Sequence, residues 1–168
     1  MKAAAEELTA SVRAAQPSVR IDGFLVQKMV DGVEAIVGAR SDPFYGPLLL
    51  IGSGGVLVEL VNDAALRLLP VRPEEVAAMI DDLRLARRLS GFRGGLAADR
   101  AALEAAALAL GRFFLDHRAR VKEIEINPLI VRSIDGRPRA AGPNPAKPGA
   151  GAIAVDVRVL WQEGVKEA

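Results

Sequence analysis

Val121-Lys122-Glu123-Ile124-Glu125-Ile126-Asn127-Pro128-Leu129-Ile130-Val131 has the alternation of a β-strand. Successive side chains of a strand point to opposite faces. Lys122, Ile124 and Ile126 are therefore expected on one face, and Glu123, Glu125 and Asn127 on the other, beside Leu129 and Val131. Two carboxylates and an amide on one side of an otherwise apolar strand are costly to bury unpaired. A hard cation favours such a set, because Mg²⁺ takes oxygen ligands, usually one or two carboxylates with water and substrate phosphates. Glu125 and Asn127, at i and i+2, can reach one ion together. An edge strand with a solvated acidic face has the same pattern.

A second alternating stretch, Ala152 to Leu160, places Ile153, Val155, Val157 and Val159 on one face and Asp156 on the other, between Ala154 and Arg158. Paired with the first strand, Asp156 completes an oxygen site with Glu125 and Asn127. The alternative is an Asp paired with a neighbouring Arg.

The rest of the chain sets the frame for these strands. Its 168 residues, 51% hydrophobic and only 4% aromatic, suffice for one domain whose core rests on Ala, Leu, Val and Ile. A net charge of +1 argues against a nucleic-acid footprint. The absence of cysteine excludes disulfides and thiolate chemistry. No apolar run is long enough to span a membrane, and the acidic N-terminus does not read as a signal peptide. The expected compartment is the cytoplasm.

In chain order, residues 2–15 read as a helix stopped by Gln16-Pro17. Residues 23–30 and 33–39 read as a hairpin around Asp31-Gly32, a strong two-residue turn signal. Glu34 is the odd charge on the return strand, open to a cross-strand ion pair with Lys28 or Arg40 or to a ligand hydroxyl. Ser41 to Pro47 is rich in turn residues, and Leu48–Ile51 reads as a buried strand. Gly52-Ser53-Gly54-Gly55 follows, then a strand over Val56–Val61 that contains Glu59, with Arg67 as one candidate partner. Such a loop lets backbone amides approach an anion, or serves a tight turn alone. It is neither a P-loop nor a Rossmann fingerprint. Asn62-Asp63 is a turn and Ala64–Leu69 a short extended piece. A helix is expected from Pro73 to about Leu89, and a second, capped by Asp99, to about Asp116. Arg93, between them, is a loop arginine able to reach an anion. His117, the single histidine, suits a helix C-terminus. Residues 132–151 form a Pro- and Gly-rich excursion between the two paired strands.

Gly23–Val30, Gly32–Gly38, Asp42–Pro47, Gly52–Leu60, Gly91–Gly94, Glu123–Leu129 and Val155-Asp156, in this order, resemble the ATP-grasp domain of NDP-forming acyl-CoA synthetases. This is the β-subunit type of ADP-forming acetyl-CoA synthetase and, more distantly, of succinyl-CoA synthetase. The resemblance implies that Val26, Gln27, Lys28 and Met29 form the hinge that meets adenine and that Glu34 binds the ribose. It implies that Asn127 and Asp156 hold Mg²⁺, with Glu125 a third ligand or a neighbour of the reacting phosphoryl group. Gly54 and Gly55 would lie near phosphoryl transfer. The implied cofactors are ATP/ADP and Mg²⁺. The implied reaction, that of an acid–thiol ligase, is acyl-CoA + ADP + phosphate ⇌ carboxylate + CoA + ATP through a phosphohistidine.

The family's lysine-bearing N-terminal subdomain, its phosphorylated histidine and its CoA-binding and ligase domains have no counterpart in these residues. Residues 1–20 are accordingly expected to be the last helix of a preceding subdomain, and residues 21–168 the C-terminal ATP-grasp subdomain. The chain is expected to be incomplete for turnover and to partner the CoA-binding and ligase domains or an α subunit, with self-association a further expectation. The expected fold is α+β, an ATP-grasp-like lobe with a mainly antiparallel sheet packed with helices. A non-catalytic regulatory or assembly module derived from the same domain, such as the sensor part of a protein acetyltransferase, is the alternative.

Overall fold

The computed structural model describes residues 2–55, 62–91, 95–135 and 151–162. Its strands are β1 (Val33–Asp42), β2 (Gly46–Ser53), β3 (Ala64–Leu68), β4 (Val121–Val131), β5 (Ala152–Ala154) and β6 (Val157–Trp161). Its helices are α1 (Lys2–Ala15), α2 (Pro73–Asp81), α3 (Leu85–Leu89) and α4 (Arg100–His117). The strands form one sheet in the order β3-β2-β1-β4-β5, and β6 also pairs with β4. Every pairing is antiparallel.

One face of this sheet carries the core. Val33, Ala35, Val37 and Ala39 of β1 alternate inward with Leu49 and Ile51 of β2, and with Ile124, Leu129 and Val131 of β4. Against them pack Val76, Met79 and Ile80 of α2, Leu85 and Leu89 of α3, and Leu103, Ala107, Leu110 and Phe114 of α4. α4 begins as its sequence predicts, with the Asp99 carboxylate accepting the Ala102 N–H at 3.0 Å. It ends at His117, whose Nδ1 lies 2.8 Å from Phe113 O and whose ring stacks on Phe113. α1 forms as expected and buries none of its residues.

The hairpin expected around Asp31-Gly32 does not form. Residues 16–32 contain no strand, and Leu25 and Met29 are 83% and 82% exposed. The reason lies in β1, whose two edges are taken by β2 over residues 35–42 and by β4 over residues 33–40. No edge remains for residues 23–30. Gly32 serves close approach instead, because a Cβ there would strike the Val131 carbonyl and Ile130. The real hairpin joins β1 to β2 with Asp42 opposite Gly46. The Asp42 carboxylate accepts the Phe44 and Tyr45 N–H groups at 2.9 and 3.0 Å.

The single helix expected from Pro73 to Leu89 is two. Asp63, read as a turn residue, is buried and accepts hydrogen bonds from Ser53 Oγ at 2.6 Å, Arg84 N at 2.8 Å and Leu85 N at 3.0 Å. Its carboxylate occupies the exposed amides at the start of α3 and breaks the helical run there. Arg67 pairs with Asp82 at 3.5 Å. The Val56–Val61 strand with Glu59, the Arg93 loop and most of the Pro-rich excursion lie outside the described residues.

β4 forms as predicted, but its alternation is interrupted twice. Its pairing with β1 slips between Ala35–Leu129 and Val37–Ile126, at Asn127-Pro128. Its pairing with β6 slips between Val121 and Glu123. Each bulge inserts one residue and exchanges the faces beyond it. Leu129 and Val131 therefore join Ile124 in the core, contrary to simple alternation, and Val121 is buried where Lys122 is exposed. The continuous strand expected over residues 152–160 is likewise split, since Val155 and Asp156 belong to neither β5 nor β6.

Candidate functional site

No described helix covers the other face of the sheet as α2, α3 and α4 cover the first. Glu34, Gly38 and Arg40 of β1 point there, opposite Ile130, Glu125 and Glu123 of β4. On the other side stand Leu48 and Leu50 of β2 and Leu66 of β3. Gly38, Arg40, Leu48, Leu50, Leu66, Glu123 and Glu125 line a depression of about 150 Å³ with one apolar and one charged wall.

Beyond this depression, separate segments converge at the bulge of β4. Gly54, just after β2, donates its N–H to Glu34 O at 3.0 Å. Gly55 N–H donates to Asn127 Oδ1 at 3.3 Å. The glycine is required, since its φ is +95° and a Cβ would collide with the Glu34 carboxylate. Asn127 N–H donates to Asp156 O at 3.1 Å, so the β5–β6 connection is tied to the same point. The sequence-derived residues Glu34, Gly54, Gly55, Asn127 and Asp156 thus share one neighbourhood. Glu125 is half-buried two residues away on the same strand, opposite Gly38 and Arg158 in register.

Val26, Gln27, Lys28 and Met29 are placed differently. All are exposed, outside any strand, and without a hydrogen bond or ion pair to the cluster. The alternative partners weighed for the charged residues are also resolved. Arg158 pairs with Glu123 at 2.6 Å rather than with Asp156. Among the described residues no ion pair joins Glu34 to Lys28 or Arg40.

The donor set fits a hard cation in part. Glu125 and Asp156 offer carboxylate oxygens and Asn127 one amide oxygen, the ligand type Mg²⁺ prefers. Among the described residues no three Asp, Glu, His or Cys side chains gather into a cage of their own. A cation here would need oxygens from a ligand, the usual arrangement where Mg²⁺ is shared with phosphates. The Gly54 and Gly55 amides are already bonded to Glu34 O and Asn127 Oδ1, so they hold the loop at the cluster, while the apolar wall beside it suits a flat or apolar part of a ligand.

Sequence reading missed the apolar wall. Its signal was Leu48–Ile51, apolar on both faces although the helices can cover only one.

A family profile described as ATP-grasp domain matches residues 1–136. The ADP-forming acetate–CoA ligase I of Archaeoglobus fulgidus is 40% identical over 126 residues, 74% of this chain and 18% of that protein. The beta subunit of ADP-forming acetate–CoA ligase II from Pyrococcus furiosus is 29% identical over 156 residues, 92% of this chain and 60% of that subunit. Among solved structures, the dinucleotide-forming acetyl-coenzyme A synthetase 1 of Ca. Korarchaeum cryptofilum superposes with a TM-score of 0.65 at 28% identity, over 94% of this chain and 64% of that one. That protein was captured with coenzyme A and Mg-AMPPCP, its phosphohistidine segment pointing towards the nucleotide binding site. The chain spans less than two thirds of each of these relatives.

Proposed function

Because the chain belongs to the ATP-grasp domain family, we propose that its open sheet face is the nucleotide-binding wall of an ADP-forming acyl-CoA synthetase. The observation that carries this reading is the convergence of Glu34, Gly55, Asn127 and Asp156 from separate segments at one bulge. The reading assigns residues 21–168 to the C-terminal ATP-grasp subdomain of a cytoplasmic enzyme, with CoA-binding and ligase domains or an α subunit as partners. The overall reaction is acyl-CoA + ADP + phosphate ⇌ carboxylate + CoA + ATP, with a phosphohistidine supplied from outside this chain.

Glu34 accepts hydrogen bonds from the ribose hydroxyls, and the hinge residues Val26 to Met29 meet the base. Gly54 and Gly55 bring the loop near the phosphates and close against Glu34 and Asn127, where a Cβ on Gly55 would not fit. Asn127 and Asp156 are the proposed Mg²⁺ ligands, with Glu125 beside them facing the reacting phosphoryl group. The cation, when bound, neutralises charge on that group. The apolar wall excludes water from one side of the transfer, which strengthens every polar contact on the other.

Calorimetric titration with Mg²⁺-ADP and Mg²⁺-ATP tests this. Binding that depends on Mg²⁺ and disappears in Asn127→Ala and Asp156→Ala is the expected result. Magnesium-dependent binding that survives both substitutions would move the site elsewhere. Absence of binding in both this chain and a longer form carrying the rest of the synthetase would favour a regulatory module.

A further inference from the structure

We propose that Arg158 is a positioning residue of this cleft, whose ion pair with Glu123 pins β6 to β4 and so holds Asp156 at Asn127. The proposal rests on the reading of the cleft given above. β5 and β6 share one neighbour, β4, and pair with its two ends, Leu129–Val131 and Val121–Ile126. Between them Val155 and Asp156 span the bulge. Their anchors there are backbone bonds, Asn127 N–H to Asp156 O and Val155 N–H to Pro128 O, both at 3.1 Å. The Asp156 side chain is exposed and has no partner among the described residues, so its own contacts do not fix it. The strand that follows must place it.

β6 has little burial to do so. It is a five-residue edge strand with Val157, Leu160 and Trp161 exposed. Besides its backbone ladder with β4 and the packing of Val159 against the core, its side-chain tie to β4 among the described residues is the charge-assisted bond from Arg158 Nη2 to Glu123 Oε1, at 2.6 Å. Arg158 stands opposite Glu125 in register but reaches diagonally to Glu123. The pair therefore fixes the register of β6 two residues from Asp156, and among the described residues Glu125 has no ion pair on the open face.

The test uses Arg158→Ala and Glu123→Gln, singly and together, with Arg158→Lys as the conservative variant. Amide hydrogen exchange at Asn127 and Val155 is read in the ligand-free chain, and affinity for ADP is read with and without Mg²⁺. Positioning predicts faster Asn127 exchange in both single variants. It also predicts a loss of Mg²⁺-dependent affinity of about two- to fivefold in each, the scale of an exposed ion pair. The double variant is no worse than either single one, and Arg158→Lys recovers part of the loss. A bare field effect gives opposite signs, since removing the Arg charge strengthens cation binding and removing the Glu charge weakens it. Opposite signs, or unchanged Asn127 exchange, would overturn the proposal. A chain that binds no Mg²⁺-nucleotide counts against the cleft reading alone, and the exchange measurement still decides whether the pair places Asp156.

Discussion

On β2, Leu49 and Ile51 are fully buried beneath the helices, while Leu48 and Leu50, alternating with them, turn to a face that no described helix covers. On β3 the same open face leaves Leu66 and Leu68 47% and 55% exposed. Among the described residues the covered face is aliphatic and aromatic except at its edge, where buried Ser53 and Asp63 bond to each other. The open face mixes its leucines with Glu34, Arg40, Glu123 and Glu125 and with the bare backbone of Gly38. One set of strands thus packs against helices on one side and presents a mixed apolar and charged surface on the other. An apolar surface left open beside charged groups marks a site that expects a ligand or a partner.

Substitution at alternate positions of β2 is the strongest way to break this comparison. Leu49→Ala should cost about 2–5 kcal/mol, the range for deleting a buried leucine. Leu50→Ala, one residue away and only partly covered, should cost no more than about 1 kcal/mol on its smaller area removed from water. Urea unfolding of the two variants measures the contrast, and equal losses would mean that both faces are core.

Asp63→Ala sharpens the same contrast from the covered side. It removes the acceptor of the Ser53 hydroxyl and of the Arg84 and Leu85 amides. A loss of about 2–3 kcal/mol is expected, since hydrogen bonds to a charged group are worth more than neutral ones. Asp63→Asn, which keeps one acceptor oxygen, should recover part of it.

Gly55→Ala acts on the open side with the opposite balance. Holding a non-glycine residue at positive φ costs on the order of 1 kcal/mol. The added Cβ must also displace the Glu34 carboxylate and the Gly55–Asn127 bond. A small shift in unfolding midpoint with a tenfold or greater loss of Mg²⁺-nucleotide binding is the expected pair of results. Normal binding would remove the loop from the cleft.

These residues differ in how far the sequence alone revealed them. Glu34, Asn127 and Asp156 stood out because a charge or amide inside an apolar strand has few explanations. The α4 cap at Asp99 and the strand Val121–Val131 were legible from local rules. The strand over residues 23–30 was misplaced because hairpin signals describe a chain in isolation, whereas β1 had both edges claimed by β2 and β4. The bulge at Asn127-Pro128 was invisible to alternation, which assumes a period of two throughout. Asp63 was hidden because its partners are backbone amides 21 and 22 residues later.

The smallest effect expected is that of acid on the outer rim. Tyr45 and Phe44 amides hold the Asp42 carboxyl below the usual range, the Arg72 amide and guanidinium do so for Glu75, and the Arg100 guanidinium for Asp81. A carboxyl whose folded pKa is depressed contributes stability above its unfolded pKa, near 4 for these groups, and loses it as the pH falls through the folded value. All three groups lie at the surface, where solvent screens them. Thermal unfolding should therefore be flat from neutral pH to about 5 and decline only below about 4. Asp81→Asn should remove a small part of that decline and weaken the tie from α2 to Arg100 on α4. Arg100 also binds Glu104 at 2.8 Å and Ala77 O at 3.0 Å, so the helices should stay docked in that variant. A large loss on Asp81→Asn, or a decline beginning near pH 6, would show that a titrating group inside the covered layer, and not its rim, controls the acid response.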